Sequence, residues 1–242
     1  MEKMLTIKDF MQNPEVAALI KHSGDALTVM GYTEHGMRHA SLVSAGAKNV
    51  LKALGYPARI AELAGIAGLL HDVGNSVNRF RHGLTGALLA EPVMRKMGMP
   101  VEDRLLIMSA IGNHEEEIGT VISEVSAALV IADKSDAHRT RVGVKKRAPG
   151  NDDIHDRVNY AIKKNFLKVD GEKHVIASKY YMDSSASVMD FLSIYLSRIL
   201  MSEKAAKFLG CTFRLYINDV LINTVNKYTE EKIRKIRENG EV

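Results

Sequence analysis

Ile66-Ala67-Gly68-Leu69-Leu70-His71-Asp72-Val73-Gly74-Asn75 is the stretch whose reading decides the fold. Five small or apolar residues run without a break into a histidine and an aspartate, and Val73-Gly74-Asn75 follows as a helix stop. Upstream, Gly55-Tyr56-Pro57 marks a turn, so the spacing predicts a helix over about 58–71. Two adjacent residues of metal-ligand type at the end of a buried helix are unusual.

Outward from this stretch, apolar residues recur at helical spacing from Ile7 to about Ala137, interrupted at Gly31, Gly74, Gly98-Met99-Pro100 and Gly119. Candidate helices cover about 7–20, 37–54, 58–71, 83–97, 101–113 and 120–137. Residues 1–147 therefore read as a helical domain. After Arg147 the turn-rich Ala148-Pro149-Gly150-Asn151-Asp152-Asp153 opens a second region, 148–242. There His174–Met182 and Phe213–Ile222 alternate like strands and Val188–Leu209 reads as a helix. The order strand, strand, helix, strand suggests a small α+β appendage with one helix covering an antiparallel sheet. The charged tail Glu230–Arg237 reads as a short solvent-facing helix.

A chain of 242 residues can bury a real core without covalent staples. The single cysteine, Cys211, excludes an intrachain disulfide and reads as a small buried hydrophobe. The N-terminus lacks a signal-like pattern and no apolar run approaches the roughly 20 residues of a membrane helix, so a cytoplasmic, non-membrane protein is expected. The net charge of +4 is mild and concentrates in Arg139–Arg147. That run could attract phosphate but contains no aromatic residue, so no specific nucleic acid is expected as a partner of the protein. A solvated loop is the competing reading.

The chemistry lies in the helical half. His39, His71, Asp72, His82, His114 and Asp133 fall at or near five candidate helices, and a helical scaffold can bring such residues to one point. Asp133 follows the apolar run Ala127–Ala132 and would otherwise be a carboxylate facing a core. A polar stripe with Lys134 and Asp136 is the alternative. His82 could instead cap a helix or bind phosphate, and His114 could lie on the surface.

The order His39, His71-Asp72, Asp133 resembles the HD superfamily of metal-dependent phosphohydrolases over roughly residues 30–141. The resemblance implies a mainly α-helical HD-domain bundle, here with the α+β appendage. It also implies that those four residues bind a divalent metal. His82 and His114 are similar to the two further histidines of members that hold two metals, the HD-GYP phosphodiesterases among them, in which Asp72 would bridge the ions. The chain departs from that group. Glu116-Glu117-Ile118-Gly119 stands where Gly-Tyr-Pro is expected, Asn113 replaces another histidine, and Asn75 stands where many relatives carry lysine. A cyclic di-GMP phosphodiesterase is therefore not supported. Glu34-His35-Gly36-Met37-Arg38-His39, with His-Asp-x-Gly-Asn after it, is more similar to a group of uncharacterised HD phosphohydrolases.

The implied reaction is hydrolysis of a phosphomonoester or phosphodiester, in a nucleotide by expectation, through attack of metal-bound hydroxide. Asp72, His35 and Glu115 are the candidate catalytic residues, the last two for proton transfer. His35 could equally be a helix-start histidine without a role. Arg79, Arg81, Lys134, Arg139 and Arg141 are candidate phosphate contacts, with ordinary exposure as the alternative for Arg79 and Arg81. Two divalent ions are expected, manganese or iron favoured, with zinc, nickel, cobalt or magnesium acceptable. The expected partner is a phosphorylated small molecule, and a homodimer through the strand-rich segments is a candidate assembly. The competing function is a nucleotide-binding sensor with a weak or inactive HD site.

Overall fold

The computed structural model describes residues 4–142 and 153–223. The chain divides into two compact units, Met1–Asp133 and Lys134–Val242. The expected division between Arg147 and Ala148, the basic residues Lys145, Lys146 and Arg147, and the tail 230–237 lie outside the described residues.

The first unit is helical. α1 (Ile7–Met11) begins at Thr6, whose side chain forms a reciprocal capping box with Asp9. Where one helix is expected over 7–20, two are found, because Asn13-Pro14 starts a new one. α2 (Pro14–Val29) has proline in its first turn, and Asn13 Oδ1 accepts from the amides of Glu15 and Val16. α3 (Met37–Ala53) and α4 (Ala58–Leu70) match their expected spans and pack against each other more extensively than any other helix pair.

Every residue of α4 from Leu63 to Leu70 is buried, so this is the central helix of the unit. Burial of Leu63, Ile66, Leu69 and Leu70 contributes roughly 1.5–3 kcal/mol each. A single 3-10 turn, Val73–Ser76, follows, and then come α5 (His82–Lys96) and α6 (Val101–Gly112). α7 (Glu124–Lys134) is shorter at both ends than expected. Ser123 accepts from the Ser126 amide through its hydroxyl and from the Ala127 amide through its carbonyl, which sets the start.

In the second unit α8 (Ile154–Ala161) precedes β1 (Ile162–Asp170), β2 (Val175–Met182), α9 (Val188–Phe208), β3 (Thr212–Ile217) and β4 (Val220–Leu221). The strands form one sheet in the order β1-β2-β3-β4. The all-antiparallel expectation fails at one pair: β2 and β3 run parallel, while β1–β2 and β3–β4 are antiparallel. The 21-residue α9 lies between β2 and β3, and a helical crossover is the connection that parallel neighbours require. Tyr180 and Phe191 meet at a ring distance of 5.0 Å, which puts α9 against one face of the sheet. Cys211 is buried, as expected.

Candidate metal centre

His39 lies in the first turn of α3, His71 caps the C-terminus of α4, and Asp72 leads into the 3-10 turn. His82 is the first residue of α5, His114 follows the C-cap of α6, and Asp133 is the penultimate residue of α7. Every member therefore sits at a helix end. Asp133 was expected well inside its helix; it lies at the helix end instead, with its side chain 13% exposed. The four histidines and Asp72 are buried.

The six side chains converge into two halves that share Asp72. On one side His39 Nε2 and His71 Nε2 are 3.2 Å apart, and Asp72 Oδ2 is 3.6 and 3.3 Å from them. Asp133 Oδ1 completes this half, 3.4 Å from His39 and 3.6 Å from His71. On the other side His82 Nε2 and His114 Nε2 are 3.1 Å apart, and Asp72 Oδ1 lies 3.2 Å from the former and 4.0 Å from the latter. One carboxylate thus offers one oxygen to each histidine pair. Three overlapping groups, His39-His71-Asp72, His71-His114-Asp133 and Asp72-His82-His114, could each hold a metal ion.

The outer hydrogen bonds set the imidazole tautomers. His71 Nδ1 is 2.9 Å from the Gly68 carbonyl and His114 Nδ1 is 2.6 Å from the Ile111 carbonyl. His82 Nδ1 is 3.1 Å from the Arg79 carbonyl and 3.1 Å from Glu115 Oε2. A carbonyl or carboxylate can only accept, so Nδ1 carries a proton in each ring, and Nε2 is the nitrogen whose lone pair, in the neutral form, points inward. Two lone pairs facing each other at 3.1 Å repel unless a cation lies between them. Nitrogens that bind one ion at about 2.1 Å and roughly at right angles are about 3.0 Å apart, so both histidine pairs fit that requirement.

The carboxylate supplies a second sign of fit: Asp72 Oδ2 is buried and, among the described residues, accepts no hydrogen bond within normal geometry. Its partner Oδ1 accepts from Asn75 Nδ2 at 2.9 Å, and the Asp72 carbonyl is held by Ser23 Oγ and Asn75 Nδ2 at 2.7 and 3.0 Å. Burial opposes charge on both members of the adjacent pair, yet the attraction between them wins. The carboxylates of Asp72 and Asp133 raise the His71 pKa from 6.5 to about 10. The charge and hydrogen bond of His71 hold Asp72 well below the usual carboxylate range. The centre of the cluster therefore favours a positive charge.

Two glycines let the helix ends approach this closely. A Cβ on Gly74 would overlap the His82 carbonyl oxygen and lie 2.5 Å from the Gly86 nitrogen. A Cβ on Gly83 would lie 2.8 Å from the Ile111 carbonyl oxygen and 3.1 Å from His114 Nδ1. Gly74 reads in sequence as a helix stop; in the fold its absent side chain seats α5 against the turn after His71-Asp72.

Around the centre, His35 lies before the start of α3, so it does not share a helix face with His39. Its ring nevertheless stands edge-on to that of His39 at 5.2 Å, with Nδ1 2.6 Å from the Thr33 carbonyl. Glu115 is buried; Oε1 accepts from the Gly83 amide at 2.8 Å while Oε2 faces His82. Arg79 Nη1 is 3.3 Å from His82 Nε2, and its guanidinium lies 5.4 Å from the centre of the Tyr32 ring. Arg81 is exposed, has a left-handed φ of 55° and stacks on Phe80.

Lys134, Arg139 and Arg141 belong to the second unit. Arg139 donates to the Tyr160 carbonyl and pairs with Asp183 at 3.2 Å, while buried Arg141 donates to the Asp136 carbonyl and lies 3.8 Å from its carboxylate. Both guanidiniums are thus engaged within that unit. Sequence reasoning missed Ser23, Asn75 as a carboxylate partner, Tyr32 and Gly83. Only Asn75, three residues after Asp72 and therefore within one turn, carried a local signal.

No protein-family profile and no solved structure matches the chain. It is similar to the uncharacterized protein MJ1020 of Methanocaldococcus jannaschii, with 25% identity over 218 residues, covering 80% of this chain and 82% of that protein. The helical unit with its buried His/Asp cluster is compatible with an HD-like fold. Among the described residues no helix is long and apolar enough to cross a membrane.

Proposed function

We propose that the protein is a divalent-metal-dependent phosphohydrolase of the HD type that cleaves a phosphomonoester or phosphodiester in a nucleotide. One observation carries the reading: Asp72 offers its two oxygens to two histidine pairs whose Nε2 atoms face each other at 3.2 and 3.1 Å. His39, His71, Asp72 and Asp133 would hold one ion, and Asp72, His82 and His114 a second. Metals so held supply Lewis acidity toward a phosphoryl oxygen and make a water nucleophile available at neutral pH.

The chain's own groups do the rest. Asn75 fixes the Asp72 carboxylate, Ser23 holds the Asp72 backbone carbonyl, and Glu115 fixes His82 from outside, as a positioning residue rather than a proton carrier, because its oxygens face Gly83 and His82. Arg79, half-buried beside His82, offers its guanidinium to a phosphoryl oxygen, and the exposed Tyr32 ring next to it offers a face to the base or sugar. His35, beside His39 and half-buried, would hand a proton to the leaving oxygen.

The test is metal content per full-length chain for wild type, Asp72→Ala and His82→Ala, with turnover over nucleoside mono- and triphosphates, cyclic nucleotides and simple phosphomonoesters. About two ions in wild type, a loss of both with Asp72→Ala and of one with His82→Ala, each with lower turnover, supports the proposal. Wild-type protein that binds no metal, or metal-loaded protein that hydrolyses no member of the panel, overturns it.

A further inference from the structure

The sheet of the second unit has one face against α9 and one outer face, and the register places an ordered set of side chains on the outer one. β1 contributes Lys164, Phe166 and Lys168, all exposed, and the strand pairing aligns them with Tyr181, Lys179 and Ala177 of β2. Lys179 and Ala177 are in turn aligned with Tyr216 and Arg214 of β3. Phe166, Lys179 and Tyr216 therefore form one row across three strands, with Lys168, Ala177 and Arg214 in the row beside it.

Rings and cations alternate along the strands as well as across them. Phe166 is 45% exposed and meets the Tyr181 ring edge-on at 6.1 Å, while Lys179 Nζ stands 4.6 Å from the centre of the Tyr216 ring. Among the described residues Lys164, Lys168, Lys179 and Arg214 form no ion pair. Lysines on an edge strand can serve simply to discourage sheet-to-sheet pairing. That purpose does not account for three aromatic rings on the same face or for a cation on the central strand β2.

We infer that this outer sheet face is a docking surface for single-stranded RNA. Rings set among cations that form no ion pair are what a single strand needs, since bases stack on the rings and phosphates meet the cations. Lys168 and Arg214 flank Ala177, and strands about 4.8 Å apart put them about 10 Å from each other, with room for a phosphate between. The choice of RNA follows from Thr212 and Tyr216, whose hydroxyls make no hydrogen bond among the described residues and can meet a 2′-hydroxyl. This surface is independent of the metal centre. It departs from the expectation of no specific nucleic-acid partner, which rested on the ring-free basic run Arg139–Arg147, because here the rings come from the strands.

The experiment is fluorescence anisotropy of the full-length chain with a labelled ten-nucleotide oligouridine in chelator, against matched single-stranded DNA and duplex RNA. Binding to the single-stranded RNA should weaken about 50-fold between 50 and 200 mM salt, since four neutralised phosphates give a slope of about −2.8. Phe166→Ala and Tyr216→Ala should each weaken it about 5- to 100-fold with circular dichroism unchanged. Lys164→Gln with Lys168→Gln, a surface change that leaves the rings in place, should lower the salt slope by about 1.4. Absence of binding at 50 mM salt, equal affinity for duplex RNA or single-stranded DNA, or indifference to the ring substitutions overturns the inference.

Discussion

Glu115→Gln removes one formal charge and almost no volume, yet on the proposed function it should loosen the metal that His82 and His114 would hold. The wild-type carboxylate accepts twice, from the Gly83 amide at 2.8 Å and from His82 Nδ1 at 3.1 Å, and it is buried. Glutamine has one accepting oxygen. If that oxygen stays on Gly83, the side-chain NH2 faces His82 Nδ1–H, and the imidazole relieves the conflict by moving its proton to Nε2, the atom that should bind metal. If the amide flips, the Gly83 N–H is left buried against a donor.

Either outcome costs about 1–3 kcal/mol, or roughly 5- to 150-fold in affinity, in line with the 10- to 100-fold typical of groups that orient metal-binding histidines. The assay is titration of chelator-stripped protein with Mn²⁺, resolving the two binding events. The loss should fall on the ion held by His82 and His114 and leave the ion held by His39, His71 and Asp133 within about twofold. Unchanged binding of both ions, or equal weakening of both, refutes the idea that Glu115 acts through the His82 tautomer.

Three further predictions bear on the same fold. Gly74→Ala places a Cβ into the backbone at the start of α5, so metal stoichiometry should fall from about two toward one while α-helical circular dichroism persists; unaltered stoichiometry would contradict the close-approach role. The pH response of the metal-free protein follows from His71 raised to about 10 and Asp72 depressed. Their stabilisation is fully present between the unfolded values of 3.8 and 6.5, lost as pH rises through about 10 and lost again as pH falls through the Asp72 value. Because metal must displace the His71 proton, the melting-temperature gain from Mn²⁺ should grow from pH 6 to pH 8.5, and a gain that shrinks over that range would count against the assignment. Arg141→Met removes the buried guanidinium that lies 3.8 Å from the buried Asp136 carboxylate and should destabilise the second unit by about 3–5 kcal/mol in urea unfolding; a change under 1 kcal/mol would show that the pair is dispensable.

The helices of the first unit were legible because each has a periodic apolar face and punctuation at its ends, as at Gly55-Tyr56-Pro57 and Gly98-Met99-Pro100. The break at Asn13-Pro14 was readable by the same chemistry but hidden inside a continuous apolar pattern. α8 went unassigned, being only eight residues long and lying beside a turn-rich segment. The parallel pairing of β2 and β3 was out of reach, since alternation along a strand says which residues share a face and nothing about the direction of a neighbour.

The sequence by itself brought out the candidate donors and the local frame that carries them: His71 and Asp72 at the end of an all-apolar helix, His39, His82 and His114 near the ends of others, and Asp133 within a further one. Those features depend on residue type and on periodicities a few residues long. Only the tertiary structure decided that Asp72 faces one histidine pair with each oxygen, that Glu115 orients His82 rather than meeting solvent, and that Arg139 and Arg141 are engaged within the second unit. Each depends on distances of a few ångströms between residues tens of positions apart in the chain. Such distances are set by how closely helix ends can approach, here through Gly74 and Gly83, and no local pattern encodes them.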